Sequence, residues 1–249
     1  QEKYHIGTLP ETGAVLPIHF LLMKNKMTVT LDTSGVGLHK RGYRSRSNAA
    51  PIKETLAAGL VDLARVRSGD IVIDPFCGSG TILIEAALKA ANIAPGLNRT
   101  FAAIEWGFSD RRVWENAFEE ARCAVKKDCG FRAFGYDIDR EAVELTRDNA
   151  WKAGVDSFIT VEKRAIRDFS SPVSKAKIIT NPPYAERMGE TSEAHEIYRT
   201  MGKRLLPRGE NELYIITSDP EFESLFGEKA ARNRKLYNGM LMCRFYSYC

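Results

Sequence analysis

The fold of this chain is decided by the stretch Asp74-Pro75-Phe76-Cys77-Gly78-Ser79-Gly80-Thr81. It joins the apolar run 70–74, which predicts a short buried strand, to the run 81–91, which predicts a helix. Gly78 and Gly80 let the backbone turn tightly and approach a ligand closely. The helix that follows points its free N–H groups toward such a ligand. Glycines alone would also suit a plain turn, but the full string favours a ligand site at the carboxyl end of the strand.

Outward from this stretch, predicted strands and helices alternate along most of the chain. The later strand candidates are 132–136, 158–162, 177–180 and 212–217, and the helix candidates are 51–66, 81–91, 109–127, 140–152 and 193–205. This alternation predicts an α/β fold with a doubly wound, mostly parallel sheet. Residues 234–248 predict a C-terminal antiparallel hairpin, joined at Asn238-Gly239, that would cap one edge of the sheet. Residues 92–130 break the alternation, and we interpret them as an insertion.

The first 46 residues differ in character from the rest, so we place a domain boundary between residues 46 and 47. Residues 16–23 and 26–33 predict a hairpin around Lys24-Asn25. Because a two-stranded hairpin is marginal alone, we expect it to belong to a further domain or to pack on the main body. A basic run interleaved with a tyrosine follows: Lys40, Arg41 and Arg44. These cations could form a solvated face, but their position favours contact with phosphate.

The composition indicates a globular chain without covalent staples. Hydrophobic residues make up 44% of the 249 residues, and the net charge of +4 permits a polyanionic partner without requiring one. The five cysteines form no Cys-x-x-Cys pair, so we expect reduced thiols and a cytoplasmic location. The four histidines lack ligand spacing, which predicts that no metal is bound. No apolar run approaches a membrane span and no signal peptide is recognisable, so we expect no membrane association.

The motif GYDIDREAV, residues 135–143, offers a second ligand-binding position at the end of the next predicted strand. Asp137, with Ile138 beside it, can accept hydrogen bonds from both ribose hydroxyls of a nucleoside cofactor. Asp139 is better suited to cap the following helix. Asp137 lies farther from Gly78 than in the dinucleotide-binding fold, and the insertion accounts for the excess. Alone, Asp137 could equally be a cap; together with the first motif it favours a nucleoside ligand.

The third motif, Asn181-Pro182-Pro183-Tyr184, directly follows the predicted strand 177–180. Its two prolines forbid helix and sheet hydrogen bonding, so the loop is stiff. The Asn181 side-chain carbonyl and a backbone carbonyl, which we assign to Pro182, could accept both hydrogens of an exocyclic amino group. Holding both frees the nitrogen lone pair for a methyl group, which is preorganised electrostatic stabilisation. Tyr184 could stack on a flipped base. Asn-Pro-Pro alone would be only a turn, but its position favours the catalytic interpretation.

Together, the strings DPFCGSGTILIEAA, NPPYAERMGE, LHKRGYR and APIKETLAAGL resemble the large-subunit ribosomal RNA guanine-N2 methyltransferase family. Many members of that family carry the older name N6-adenine-specific DNA methylase. The resemblance covers the chain from about Leu16 onward. It implies a Rossmann-like class I methyltransferase fold that uses S-adenosyl-L-methionine. It also implies an upstream THUMP domain that captures RNA, of which residues 1–33 would be the last hairpin.

Carried over by position, the resemblance implies a role for each motif. Asp74, Phe76, Gly78 and Gly80 match the cofactor loop, Asp137 the ribose-binding acid, Asp168 the acid near the cofactor adenine, and 181–184 the catalytic loop. We therefore expect residues 74–81, 137, 138 and 168 to bind the cofactor. Ala185 departs from the family, which usually has Gly there, and this could alter substrate entry. Cys77 would suit carbon methylation as a nucleophile, but amine chemistry needs no covalent step, so we expect it to pack.

We expect this chain to transfer a methyl group from S-adenosylmethionine to guanine N2 in large-subunit ribosomal RNA. Adenine N6 of DNA is the first alternative, because both acceptors are exocyclic amines and the catalytic loop does not distinguish them. The basic segment and the upstream RNA-capture piece favour RNA. A protein glutamine amide also fits the loop but would leave the basic segment without a role. A cofactor-binding or RNA-binding module without turnover is the last alternative, and the intact Asn-Pro-Pro-Tyr sequence argues against it.

Overall fold

The computed structural model describes residues 12–44, 52–184, 191–207 and 209–248. The strands are β1 (Ile18–Met23), β2 (Lys26–Leu31), β3 (Ile71–Asp74), β4 (Arg132–Asp137), β5 (Ile159–Lys163), β6 (Lys177–Thr180), β7 (Glu212–Thr217), β8 (Arg232–Asn238) and β9 (Leu241–Tyr248). The helices are α1 (Glu54–Leu63), α2 (Thr81–Ala90), α3 (Arg111–Cys123), α4 (Arg140–Ala153), α5 (Thr191–Leu205) and α6 (Phe222–Phe226).

The predicted doubly wound sheet is confirmed. Seven strands of the described ranges form one sheet in the order β5-β4-β3-β6-β7-β9-β8. The strands from β3 to β7 run parallel, whereas β9 and β8 add antiparallel at one edge, as predicted for the C-terminal hairpin. The chain runs outward from β3 through β4 to β5 and then returns to β6. The order therefore reverses between β3 and β6, where open α/β sheets bind their ligands.

Two apolar layers cover the faces of the sheet. Nine of the ten residues of α2 are buried, because this helix is apolar on nearly every side and packs between α1 and α4. On the other face, Tyr198 of α5 packs edge-on against Phe222 of α6, with 5.1 Å between ring centroids. Helix α6 was missed from the sequence because five residues are too few to show a helical period. Both layers leave the carboxyl ends of β3 and β6 open.

Several element ends differ from the sequence-based boundaries for local reasons. Helix α1 is shorter than the predicted range 51–66, since Lys53 is extended and Arg65 adopts a left-handed φ of 55°. Helix α3 is likewise shorter than the predicted range 109–127. Asp139 caps α4 by accepting the Glu141 backbone N–H at 2.9 Å, as predicted. The proposed boundary between residues 46 and 47 lies outside the described residues.

The N-terminal hairpin and the insertion meet in space. Strands β1 and β2 pair as predicted, with Lys24 and Asn25 in the left-handed turn conformation that suits a tight hairpin. The Arg99 guanidinium of the insertion donates to the backbone carbonyls of Ser34, Val36 and Gly37. The indole N–H of Trp106 donates to the Val15 carbonyl at 3.0 Å. The insertion therefore contacts the chain on both sides of the hairpin, before β1 and after β2.

Candidate active site

A cleft of about 950 Å³ lies at the carboxyl edge of the sheet, where the strand order reverses. We call residues 74–81, which follow β3, the glycine loop, and residues 181–184, which follow β6, the proline loop. All residues of the glycine loop except Gly80 line the cleft, and so do Asp137, Ile138 and the whole proline loop. Motifs that are far apart in sequence thus share one cavity.

Neighbouring side chains fix the backbone of the glycine loop. The Gly78 N–H donates to Asp137 Oδ2 at 2.9 Å, and the Gly78 carbonyl accepts the Thr146 hydroxyl at 2.8 Å. The Ser79 carbonyl accepts from the Asn149 amide at 2.9 Å. Thr146 and Asn149 lie three residues apart on the buried face of α4. They were not predicted, and their sequence signal is the spacing of three residues, which places both on one face of the predicted helix.

Glycine is required in this loop for two different reasons. Gly80 has a φ of 80°, and a Cβ there would lie 2.5 Å from Thr146 Cγ2, so both backbone conformation and space exclude a side chain. Gly78 also has a positive φ, of 53°, but a Cβ there would meet no atom within 4 Å. The backbone of Gly78 therefore faces open space on the cleft wall, and the missing side chain allows a ligand to approach that backbone closely.

Asp74 is buried and links the two loops. Its Oδ1 accepts the Thr180 hydroxyl at 2.6 Å and the Phe76 N–H at 3.0 Å. Burial is the largest influence on this carboxyl and raises its pKa to about 7, whereas both hydrogen bonds act in the opposite direction. Because Thr180 directly precedes Asn181, Asp74 fixes the end of β6 as well as the start of the glycine loop. It acts as a structural bridge whose carboxyl holds a proton more readily than an exposed aspartate.

The cleft wall beside Asp137 suits a nucleoside. Each oxygen of the Asp137 carboxylate accepts one backbone N–H, from Gly78 and from Asp139, and each keeps a further lone pair for a hydroxyl donor. Ile138 is 67% exposed and lines the cleft next to it, which offers an apolar surface to a flat ring. These groups fit the ribose and base of an adenosyl cofactor, and the open backbone at Gly78 gives that cofactor room.

Asp168, expected near the cofactor adenine, lies at the end of a short 3-10 helix, Ile166–Asp168. Residues 164–167 form the cleft wall at this point, and Asp168 lies one residue beyond them. Its carboxylate pairs with Arg167 at 3.5 Å, with the Asp168 side chain 65% exposed. Arg164, which was not predicted, lines the cleft with its guanidinium 4.5 Å from the Tyr136 ring centroid. The assigned role of Asp168 stays a prediction.

Cys77 is buried, with its sulfur 3.8 Å from the Thr146 hydroxyl. Burial raises the pKa of the thiol well above its usual value, and the nearby carboxylates act in the same direction. A thiol that stays protonated is a poor nucleophile. This environment agrees with the expectation that Cys77 packs rather than reacts.

Two tyrosine hydroxyls fix the proline loop. The Tyr198 hydroxyl of α5 donates to the Pro183 carbonyl at 3.0 Å and contacts the Thr217 hydroxyl at 3.1 Å. The Tyr184 hydroxyl donates to Asn181 Oδ1, which orients the carboxamide. A carbonyl oxygen has two lone pairs, so Asn181 Oδ1 can accept a hydrogen bond from a further donor. The role of the Pro182 carbonyl stays a prediction, and Ala185 lies outside the described residues.

The basic segment lies against α2 instead of projecting into solvent. Arg41 forms two 3.3 Å contacts with Glu85, whose other partner is the Tyr43 hydroxyl at 3.1 Å. Arg44 donates to Thr81 Oγ1 and lies 3.5 Å from Glu54. The side chains of Arg41 and Arg44 are only 11% and 13% exposed. Arg41 and Arg44 therefore do not form a solvated face, because carboxylates of α2 and α1 pair with them. The predicted contact of these cations with phosphate stays a prediction. Lys40 remains exposed.

Two further observations concern binding partners. Among the described residues, no group of three or more His, Cys, Asp or Glu could hold a metal ion. Within the same ranges, no helix is both long enough and apolar enough to cross a membrane. The expectation of a metal-free protein stays a prediction.

The sheet order and the two loops at its reversal point define a Rossmann-like methyltransferase fold, so the fold prediction is confirmed. Residues 41–247 match the family described as RMKL-like, methyltransferase domain. The chain therefore belongs to this family.

Relatives of known name agree with this assignment. The "Putative RNA methyltransferase YpsC" of Bacillus subtilis (strain 168) is 41% identical over 240 residues, which cover 96% of this chain and 62% of that protein. The Ribosomal RNA large subunit methyltransferase K/L of Shewanella amazonensis is 38% identical over 231 residues, covering 90% of this chain and 33% of that protein. The chain thus spans less than two thirds of the length of either relative.

A solved structure agrees as well. SMU.472, crystallised in complex with SAH, is 37% identical and has a TM-score of 0.92, over 100% of this chain and 66% of that chain. SAH is what S-adenosylmethionine becomes after it has given up its methyl group. Fold and family together make S-adenosylmethionine the cofactor of this chain, as predicted.

Proposed function

We propose that this chain transfers the methyl group of S-adenosylmethionine to the exocyclic N2 amine of a guanine in large-subunit ribosomal RNA. The observation that carries the proposal is the proline loop, which lines the same cleft as the glycine loop and presents the Asn181 carboxamide there. The proposal is also supported by relatives named as RNA and ribosomal RNA methyltransferases.

On the cofactor side, the proposal assigns binding to the glycine loop, Asp137, Ile138 and Asp168. Asp137 would accept the ribose hydroxyls, and the bare backbone at Gly78 would lie beside the cofactor. When bound, the cofactor supplies an electrophilic methyl group on a positively charged sulfur. The protein contributes orientation and a cleft of about 950 Å³ that brings both reactants together.

On the substrate side, Asn181 Oδ1 would accept one amine hydrogen and the Pro182 carbonyl the other. Two acceptors hold the amine so that its lone pair is directed away from the ring, which stabilises the transition state more than the ground state. Tyr198 supports this geometry by holding the Pro183 carbonyl at 3.0 Å. Tyr184, which also orients Asn181, would stack on a base unstacked from single-stranded or looped RNA.

The choice of RNA extends the proposal beyond this domain. We assign residues 1–46 to the end of an upstream THUMP-like RNA-binding domain and residues 47–249 to the methyltransferase domain. The exposed apolar side chains of β1 and β2 support this, because such a hairpin requires a partner. A contact of Lys40, Arg41 and Arg44 with RNA would require the two arginines to leave their carboxylate partners. A ribosomal RNA substrate would place the protein in the cytoplasm.

The proposal is tested by transfer of labelled methyl from S-adenosylmethionine. Unmodified ribosomal RNA and unmethylated DNA are offered in parallel, and the products are digested to nucleosides. Label in N2-methylguanosine is expected. Label in N6-methyladenine of DNA would contradict the proposed RNA substrate but not the roles assigned to the cleft residues. Cofactor binding without methyl transfer to any acceptor would contradict the proposal that this chain is an enzyme.

The control variant is Asn181→Ala. Because Asn181 acts mainly in the transition state, we expect kcat to fall roughly 100- to 1000-fold, as for the loss of one preorganised hydrogen bond. The Kd for S-adenosylhomocysteine, measured by calorimetry, should change less than about twofold, because the carboxamide does not contact the cofactor in this assignment. A wild-type rate for this variant would remove Asn181 from the mechanism.

A further inference from the structure

The turn between β8 and β9 forms part of the cleft rim. Asn238, Gly239 and Leu241 line the same cleft as the proline loop. At the tip, the Met240 side chain is 98% exposed. The C-terminal hairpin therefore does more than close one edge of the sheet, because its end reaches the opening through which a substrate base must pass.

One face of this hairpin carries cations and an aromatic ring together. Lys235 pairs with Arg244 across the two strands, and Tyr237 pairs with Met242. Directly paired residues of an antiparallel ladder lie on the same face. The Lys235 ammonium lies 5.4 Å from the Tyr237 ring centroid, and Tyr237 and Met242 are 56% and 40% exposed. We call the side chains of Lys235, Tyr237, Met242 and Arg244 the hairpin face.

The two cations of the hairpin face have no ion-pair partner among the described residues. Residues 232–248 include four basic side chains and no Asp or Glu. Within the described part of the chain, neither Lys235 nor Arg244 forms an ion pair; Arg244 donates only to the Asn233 amide oxygen at 3.2 Å. Like charges directly opposite each other destabilise a sheet. A pair that costs stability, on a strand that reaches the cleft, indicates an anionic partner.

The hairpin face is also close to the proline loop. Arg244 pairs with Thr217 on β7. The Thr217 hydroxyl contacts that of Tyr198, which in turn holds the Pro183 carbonyl. Farther along the same face of β9, Tyr246 is buried under the helices, whereas Arg244 and Met242 emerge beyond that cover. A polymer that places one base in the cleft would therefore pass its neighbouring nucleotides over this face.

We propose that the hairpin face binds the single-stranded RNA that flanks the target guanine. Lys235 and Arg244 contact its phosphates, and Tyr237 stacks on a flanking base. Positive charge beside an exposed aromatic ring is the combination that single-stranded nucleic acids require. This inference rests on the proposed function, because it takes the cleft to receive a base from an RNA strand.

The experiment measures binding and methyl transfer separately. Anisotropy of a fluorescein-labelled, unmodified RNA of about 12 nucleotides, comparable to single-strand site sizes, gives Kd over a range of salt concentrations. Lys235→Ala/Arg244→Ala should reduce the salt slope of log Kd by about 1.4, the value for two lost single-strand phosphate contacts. Tyr237→Ala should weaken binding roughly 5- to 150-fold, and Tyr237→Phe should restore it because the ring remains.

The matched control is Arg111→Ala/Arg122→Ala, which removes two exposed cations from α3. This variant should keep the wild-type salt slope. All variants should bind S-adenosylhomocysteine as the wild type does and unfold at a similar temperature, which excludes misfolding. If Lys235→Ala/Arg244→Ala and Tyr237→Ala both bind RNA with the affinity and salt slope of the wild type, the inference is wrong. It is also wrong if the wild-type protein binds no RNA. Wild-type protein that methylates no RNA overturns the proposed function instead. A wild type that binds and methylates only DNA of the same sequence overturns both.

Discussion

The two loops that form the cleft are held in place by different means. The glycine loop has hydrogen bonds of its own, but its backbone is also held from outside by the side chains of Asp137, Thr146 and Asn149. The proline loop is stiff because of its own two prolines, and the hydroxyls of Tyr184 and Tyr198 add hydrogen bonds to it. The comparison shows that the glycine loop depends more on the surrounding fold, whereas the proline loop depends more on its own sequence.

The two loops are not independent, because the Asp74 carboxyl joins them through Thr180. Because the glycine loop depends on the surrounding fold, a change in it should mainly alter stability and cofactor affinity. A change around the proline loop should alter turnover first. Three substitutions test this distinction.

The largest effect is expected from the pH dependence of Asp74→Asn. A carboxyl whose pKa rises from 3.8 to about 7 on folding stabilises the protein below about pH 4 and loses that contribution as the pH rises through about 7. The asparagine keeps the acceptor for Thr180 and Phe76 but never ionises. Relative to wild type, the variant should therefore gain about 4 kcal/mol in unfolding free energy between about pH 4 and pH 8.

Urea unfolding of both proteins at the two pH values gives this difference directly. Titrating groups that do not interact with Asp74 affect the two proteins alike and cancel. A difference that stays constant across the pH range would mean that Asp74 titrates as an exposed carboxyl does, and the bridge between the loops would lose its electrostatic explanation.

A smaller effect is expected from Gly80→Ala, which tests the external support of the glycine loop. The left-handed φ costs an alanine about 1–2 kcal/mol, and overlap with Thr146 Cγ2 adds about 1–3 kcal/mol. Thr146→Ser removes that methyl group and keeps the hydroxyl. The double variant Gly80→Ala/Thr146→Ser should therefore recover the stability lost to the overlap. Chemical unfolding and the Kd for S-adenosylhomocysteine measure both.

Gly154→Ala is the matched control, because Gly154 has a φ of 71° with nothing within 4 Å of the added Cβ. Gly154→Ala should lose only the unfolding free energy that the left-handed φ costs an alanine. Equal losses for Gly80→Ala and Gly154→Ala would show that Thr146 does not constrain the loop.

The smallest effect is expected from Tyr198→Phe, which tests the proline loop. Loss of its hydrogen bonds to Pro183 and Thr217 should lower the unfolding free energy by about 1 kcal/mol. It should also lower kcat severalfold while cofactor affinity stays unchanged. Tyr248→Phe, which removes a similar bond from a buried tyrosine to the Glu228 carbonyl, should leave kcat unchanged. Equal kcat values for the two variants would show that Tyr198 does not position the loop.

Local patterns predicted most of the fold. The strand Lys177–Thr180 contains two adjacent isoleucines and ends at a proline-containing loop, so both the strand and its end were evident. The same holds for Asp139, whose capping role follows from its place before a helix. These features depend on residues that are neighbours in sequence, which is why sequence alone suffices.

Long-range pairings could not be predicted in this way. Arg41 and Arg44 have the sequence character of exposed cations, and the carboxylates that neutralise them include Glu85, which belongs to another element. Tyr198 is one aromatic residue on an amphipathic helix, and only the folded chain brings its hydroxyl to Pro183. A local pattern gives the residue type and its element, but the partner is set by the sheet order.

The ion pair of Arg41 with Glu85 has a consequence for the modularity of this protein. Glu85 lies inside the catalytic fold with its side chain 3% exposed, and its partners Arg41 and Tyr43 precede the first helix of that fold. Separation of the two would leave a buried carboxylate without its cation, which is strongly destabilising. A gene fusion that replaces what precedes this domain would therefore preserve the ion pair only if the junction falls upstream of Arg41, and so upstream of the boundary between residues 46 and 47 that the sequence predicts.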